Sequence, residues 1–224
     1  MKTSLESDGF ELHRAVFGET ELESLRVEAD HVSVEAEATS VRLLCDRSSL
    51  FRSLSKSLKL RSLAGSNRIP VRSILFDKTP DENWPVLWHQ DLTIAVAAQA
   101  DIAGYLNWSV KNGLRHVQPP VSLLSQIVTV RIHLDDTPAL NGALKVIPGS
   151  HCHGRMDQKA ISSFVEKADE VVCEAAAGDV LLMSPLILHS SARSEQPSRR
   201  RVLHFEYAIP ESLDPNLEWH ERSA

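Results

Sequence analysis

His89, Asp91 and His189 are the residues of this chain whose types and spacing point most directly to chemistry. In an extended strand, residues i and i+2 project from the same face, so His89 and Asp91 can grip one ion while Gln90 turns away. A histidine from a distant strand, His189, completes the set. Two imidazoles and one carboxylate on one face of an octahedral metal leave three neighbouring positions open. Non-haem Fe(II) oxygenases use that arrangement to hold an organic acid and O2 together. The run Arg199-Arg200-Arg201 then offers a guanidinium to an acidic cosubstrate.

The elements that must position these residues change character along the chain. Residues 17–64 carry helical spacing, with Leu22 and Leu25 and later Leu50, Leu54 and Leu58, which predicts two amphipathic helices in a mainly helical stretch over 1–66. From Ile69 onward, short apolar runs alternate with Gly, Pro and Asn turns, which predicts an all-β core with flanking helices, a sandwich or barrel over 67–210. Asn141-Gly142 is a hairpin signal, and Gly178-Asp179 reads as a turn just before a strand. Strand phase separates two faces in 126–135: Gln126, Val128, Val130, Ile132 and Leu134 suit a core under helices, while Thr129, Arg131 and His133 face a wet pocket. The last strand alternates likewise, with Leu203, Phe205 and Tyr207 on one side and Arg200, Val202, His204 and Glu206 on the other.

Composition bounds the function classes. A chain of 224 residues, 42% of them hydrophobic, buries one substantial core, and without a linker or internal repeat it reads as a single domain over 1–224. The formal charge of −6 excludes nucleic acid and anionic membrane as main partners, so basic clusters are local devices. No apolar run reaches the roughly 18 residues of a membrane span, and the first residues lack a secretory pattern, so a cytoplasmic protein is expected. Cys45, Cys152 and Cys173 are odd in number and widely spaced, which speaks against a disulfide framework or a zinc knuckle.

Four segments in order, WHQD, LDDTPALNGALKVIPGSH, GDVLLMSPLILHSSA and RRRVL, resemble the phytanoyl-CoA dioxygenase-like family of Fe(II)- and 2-oxoglutarate-dependent oxygenases, from about Phe10 to Tyr207. The resemblance implies a double-stranded β-helix, a cupin-like jelly-roll barrel with helices packed on one side. It implies iron on His89, Asp91 and His189, and 2-oxoglutarate anchored by Arg200, eleven residues past His189, with Ser191 beside it. The reaction implied consumes O2 and couples decarboxylation of 2-oxoglutarate, to succinate and CO2, with oxidation of a substrate C–H bond. Radical halogenases of this scaffold replace the carboxylate ligand with a small residue, so Asp91 directs the expectation to hydroxylation.

Around this set, Thr129 is a candidate cosubstrate contact, and Lys78, Asn83, Trp108, Lys111, Arg131 and His133 are candidate substrate contacts. Arg131, His133 and Lys111 favour a small-molecule substrate with a carboxylate or another polar group. The segment 101–124, which carries Trp108, Lys111 and His116, departs from the family pattern and is where specificity is expected. Bland roles are expected elsewhere: Trp84 and Trp88 in packing, His151 and His153 in a loop, Asp135 and Asp136 at a turn, Arg199 and Arg201 on the surface. Two other functions fit the residues alone: a cupin-like metal-dependent hydrolase or isomerase that activates water, and a non-catalytic small-molecule binder. A monomer or a homodimer is expected, and the acidic chain shows no long basic groove for an acyl-CoA tail.

Overall fold

The structure is a computed structural model that describes residues 4–196 and 198–221; the outermost positions of the 1–224 span lie outside the described residues. Strand β1 (Phe10–His13) leads into helix α1 (Glu19–Ala36), then β2 (Ser40–Arg42) and three short helices, α2 (Leu44–Arg47), α3 (Ser49–Ser55) and α4 (Leu58–Ala64). The long β3 (Ile69–Lys78) follows, with β4 (Val86–His89), β5 (Ile94–Val96), β6 (Leu106–Lys111), β7 (Leu114–Gln118) and α5 (Val121–Leu124). The chain continues through β8 (Val128–His133), β9 (Leu144–Val146), α6 (Gln158–Val165), β10 (Val171–Cys173), β11 (Val180–Met183), β12 (His189–Ser191) and β13 (Arg200–Ala208).

These strands form a major sheet ordered β1-β11-β8-β13-β3-β2, a minor sheet ordered β10-β9-β12-β4, and a small sheet ordered β5-β7-β6. Every pairing is antiparallel. This is the jelly-roll architecture expected, with two facing sheets that stay open at their edges rather than closing into a barrel.

Alternation decides which face of the major sheet meets what. Val128, Val130 and Ile132 of β8, with Leu203, Phe205 and Tyr207 of β13, join Leu22, Leu25, Ala29 and Val32 of α1 in one buried cluster. The spacing of those four α1 residues by three and four makes one helical stripe, and the stripe docks on the sheet. The Tyr207 hydroxyl donates to the Ser55 carbonyl at 2.7 Å, which ties β13 to α3. Between the two sheets, Phe10, Leu181 and Met183 pack on Leu144, Val146 and Cys173, closing one end of the sandwich. The polar faces of β3, β8 and β13 line the open end. Among the described residues, no helix is long and apolar enough to cross a membrane.

Two expectations are corrected here. The stretch 1–66 holds four helices and two strands instead of two helices alone. Ser48 and Ser57 each accept a backbone N–H three residues on, at 3.2 and 3.3 Å, and so start new short helices where the leucine spacing suggested one. Asn141-Gly142 does not make a hairpin, because β8 and β9 lie in different sheets. Ala139–Asn141 is instead a 3₁₀ turn that ends on Gly142 at φ 66°. A Cβ there would meet the Ala192 carbonyl oxygen at 2.6 Å, so the crossing requires glycine.

Candidate metal centre

His89 ends β4 and pairs across the ladder with His189, the first residue of β12, which brings the two rings together with centroids 4.1 Å apart and planes tilted by 51°. Asp91 follows two residues on, its backbone N–H donating to the Pro185 carbonyl at 2.8 Å. Gln90 points away and is locked there: its amide donates to the Gly154 and Leu186 carbonyls at 2.8 and 2.7 Å, and its Oε1 accepts from the Met156 N–H at 2.8 Å. This buried anchor holds the turn that brings His89 and Asp91 to one point.

Each imidazole uses Nδ1 on a backbone carbonyl two residues earlier, His89 on Leu87 at 2.8 Å and His189 on Ile187 at 2.9 Å. A carbonyl only accepts, so Nδ1 carries the proton and the Nε2 lone pair is left for a metal, the orientation that such partners impose on ligand histidines. His89 Nε2 lies 3.8 Å from Asp91 Oδ1, and His189 Nε2 lies 3.5 Å from Asp91 Oδ2. Donors bound to one ion at roughly 2.1 Å are at most about 4.2 Å apart, and both pairs satisfy that bound. Burial lowers the His189 pKa to about 4 against the opposing pull of Asp91, so the ring is neutral and free to ligate at neutral pH. For Asp91, burial raises the pKa, but His189, His204, Arg72 and His89 together outweigh it and hold the carboxylate ionised.

The three side chains open into a cavity of about 250 Å³ between the sheets. At one end Arg200 of β13 and Lys78 of β3 face each other in register. Arg200 donates to the Gly142 carbonyl and, at 3.4 Å, to Ser191 Oγ, while Ser191 Oγ donates to Gly142 at 2.9 Å. Lys78 Nζ donates to the Trp84 carbonyl at 2.5 Å and lies 4.8 Å from the Trp84 ring centre. Neither cation has a carboxylate partner among the described residues. Burial, with Arg131 and Arg200 nearby, lowers the Lys78 pKa to about 8, and burial lowers Arg200 to about 10. Arg199 and Arg201 point the other way, Arg199 onto Asp77 and Asp30 and Arg201 onto Asp135 and Asp30. They are ion-paired rather than simply solvated.

The remaining candidates divide between lining and distant positions. Arg131 and His133 line the cavity; Thr129 is buried beside it but is not a lining residue. Asn83 is spent on the Ser194 backbone, at 2.9 Å to both its N–H and its carbonyl. Trp108 packs against an apolar cluster and Lys111 is exposed, both on β6 of the small sheet, to which the segment 101–124 contributes β6 and β7. From that segment His116 is the residue that comes near, buried behind Arg42 and Arg72 with neither ring nitrogen bonded. Trp84, expected to serve packing, lines the cavity.

Sequence reasoning did not single out Arg42 and Arg72. Arg72 was legible in principle, since it alternates with Ile74, Phe76 and Lys78 along β3, all facing inward. Arg72 donates to Glu206 at 2.9 Å, and Arg131 donates to His204 Nδ1 at 3.1 Å. The proton of His204 is therefore on Nε2, which lies 3.4 Å from Glu206.

The phytanoyl-CoA dioxygenase (PhyH) family model matches residues 5–202. The chain belongs to that family. No curated protein matches it. Solved structures similar to this PhyH-family chain include the 2-oxoglutarate-dependent carbocyclase SnoK from nogalamycin biosynthesis, at TM-score 0.70 and 19% identity over 91% of this chain and 81% of that one. EctD from S. alaskensis with 2-oxoglutarate and 5-hydroxyectoine aligns at TM-score 0.71 and 19% identity, over 93% and 74%. The epimerase SnoN in complex with Fe3+, 2-oxoglutarate and nogalamycin RO aligns at TM-score 0.67 and 16% identity, over 91% and 80%. At such identities the likeness shows the fold.

Proposed function

We propose that this chain is an Fe(II)- and 2-oxoglutarate-dependent dioxygenase that hydroxylates a small molecule. The observation that carries the reading is the set of His89, Asp91 and His189 opening onto a cavity whose far end holds Arg200 and Lys78 with no carboxylate partner among the described residues. His89, Asp91 and His189 would hold the iron, which when bound supplies O2 activation coupled to decarboxylation of the cosubstrate. Arg200 would take the distal carboxylate of 2-oxoglutarate as a planar two-toothed donor, with Ser191 fixing its orientation and Lys78 adding a point charge. A volume of about 250 Å³ falls below the roughly 300–1,000 Å³ of drug-sized pockets, which supports a small substrate over an acyl-CoA.

The test is anaerobic addition of Fe(II) and 2-oxoglutarate, followed by air and a panel of metabolites. A weak visible charge-transfer band, then succinate and a product heavier by one oxygen atom, are expected. No band and no succinate would sink the oxygenase; succinate with a cyclised or epimerised product would keep it and remove hydroxylation. The hydrolase reading needs no cationic socket eleven residues past His189, and Arg200 beside Lys78 at that end of the cavity supports the oxygenase reading instead.

Lys78 gives a pH signature. Its pKa of about 8 means that it carries charge below that pH and loses it above. The KM for 2-oxoglutarate is therefore expected to rise with pH through about 8, by at most about tenfold per pH unit. In Lys78→Met the KM is already raised at neutral pH to the level that the wild type approaches at high pH, and this rise is gone; a wild-type KM that is flat from pH 7 to 9 contradicts the assignment.

A further inference from the structure

The cavity carries more positive charge than iron and 2-oxoglutarate use. Five cationic side chains, Arg42, Arg72, Lys78, Arg131 and Arg200, face two anionic ones, Asp91 and Glu206, an excess of three. A divalent iron and a dicarboxylate dianion cancel, so three positive charges remain. Arg200 and Lys78 belong to the cosubstrate end. Arg72 is already paired with Glu206 and the Thr93 carbonyl. Arg42 and Arg131 are left.

The register places these two arginines in one row across the major sheet. Arg42 of β2 pairs with Ile74 of β3, Ile74 with His204 of β13, and His204 with Arg131 of β8. Side chains of one row point to one face, and strands lie roughly 4.8 Å apart. The row therefore runs about 14 Å across the cavity floor with a cation at each end. Arg200 and Lys78 form a separate row, four residues away along β13.

Neither guanidinium is satisfied. Arg42 makes no hydrogen bond or salt bridge from its side chain among the described residues, and its NH1 is buried without a partner. Arg131 donates to the His204 ring and stacks its guanidinium 5.6 Å from the Phe76 ring centre, yet its Nε is buried and unpartnered. Burying an unpaired charge is costly, and groups left so in a cavity belong with a ligand that completes them. His204 and Glu206 with Asp91 form a cluster of metal-ligand type, but Arg72 and Arg131 occupy its carboxylate and one ring nitrogen, which leaves no room in the charge balance for a second cation.

We propose that the substrate is an anion, and that its carboxylate, phosphate or sulfate group docks between Arg42 and Arg131, in a different row of the sheet from Arg200. This rests on the oxygenase reading and names the substrate class for that same cavity. Arg131 is fixed by His204 and Phe76 and sets the depth of the group; Arg42, on the short edge strand β2, closes over it.

The test titrates the anaerobic Fe(II)–2-oxoglutarate complex with propionate, sulfate and, as a neutral control, propionamide, reading heat of binding and the charge-transfer band in parallel. Saturating 2-oxoglutarate keeps the probes out of the Arg200 end. Propionate or sulfate is expected to bind and propionamide not, with the stronger of the two anions identifying the oxyanion. In Arg42→Gln, anion affinity is expected to fall about tenfold or more, with partial recovery in Arg42→Lys, while the band with 2-oxoglutarate is unchanged. The melting temperature of Arg42→Gln is expected to hold or rise, since an unpaired charge is removed, whereas a structural arginine would lower it. A wild-type complex that shows the band but binds neither anion, or binds them as well after Arg42→Gln, overturns this inference alone. A wild-type protein without the band overturns the oxygenase reading and this inference with it.

Discussion

Asp91→Ala is expected to purify without iron and to give neither a charge-transfer band nor succinate. Asp91 is the one carboxylate among the three proposed ligands and lies within 4 Å of both imidazoles, so its loss removes the one anionic donor and the group that spans the two histidines. Removing partners that merely orient ligands costs about 10–100-fold in metal affinity, and loss of a ligand itself is expected to exceed that range. Asp91 also offsets positive charge on Arg72, so the alanine variant leaves that guanidinium less compensated. Iron content by elemental analysis after anaerobic loading, with Lys111→Ala on the outer face as control, decides the matter. One iron per chain in Asp91→Ala would remove the metal assignment.

How much of this could be read from residue order depended on the length of the element that carries each group. Along β8 and β13 a period of two runs for six and nine residues, long enough to separate an apolar face from a polar one, so Arg131, His133 and Arg200 were legible as inward-facing. The metal set was legible because one intervening residue puts two ligands on one face wherever the backbone is extended. Arg42 was not legible. Its strand is three residues long, and it sits in a stretch whose leucines and serines read as helix; pairing with β3, a long-range contact, makes it extended. Local pattern could not distinguish Arg200 from its neighbours by residue type either. Phase selected it, and the acidic residues that absorb Arg199 and Arg201, namely Asp30, Asp77 and Asp135, come from three distant segments. The Asn141-Gly142 turn misled for a related reason: a left-handed glycine serves a crossover between sheets as well as a hairpin.

Arg200→Ala is expected to separate cosubstrate binding from metal binding. Truncating one partner of a buried, hydrogen-bonded charge pair costs about 2–5 kcal/mol, and every 1.4 kcal/mol is tenfold. The KM for 2-oxoglutarate should therefore rise from about thirtyfold to more than a thousandfold, with iron content unchanged. Arg200→Lys should restore little of this, since an ammonium group reproduces the charge but not the paired N–H geometry. Ser191→Ala should act in the same direction and less strongly, because Ser191 touches the guanidinium at 3.4 Å and leaves its contact with Gly142 in place. Anion binding at Arg42 should persist in Arg200→Ala, because the two arginines stand in different rows of the sheet. Saturation curves for succinate release against 2-oxoglutarate, measured on iron-loaded protein, give the answer. An unchanged KM in Arg200→Ala removes the socket, and activity of that variant without any 2-oxoglutarate would transfer the metal centre to hydrolytic chemistry.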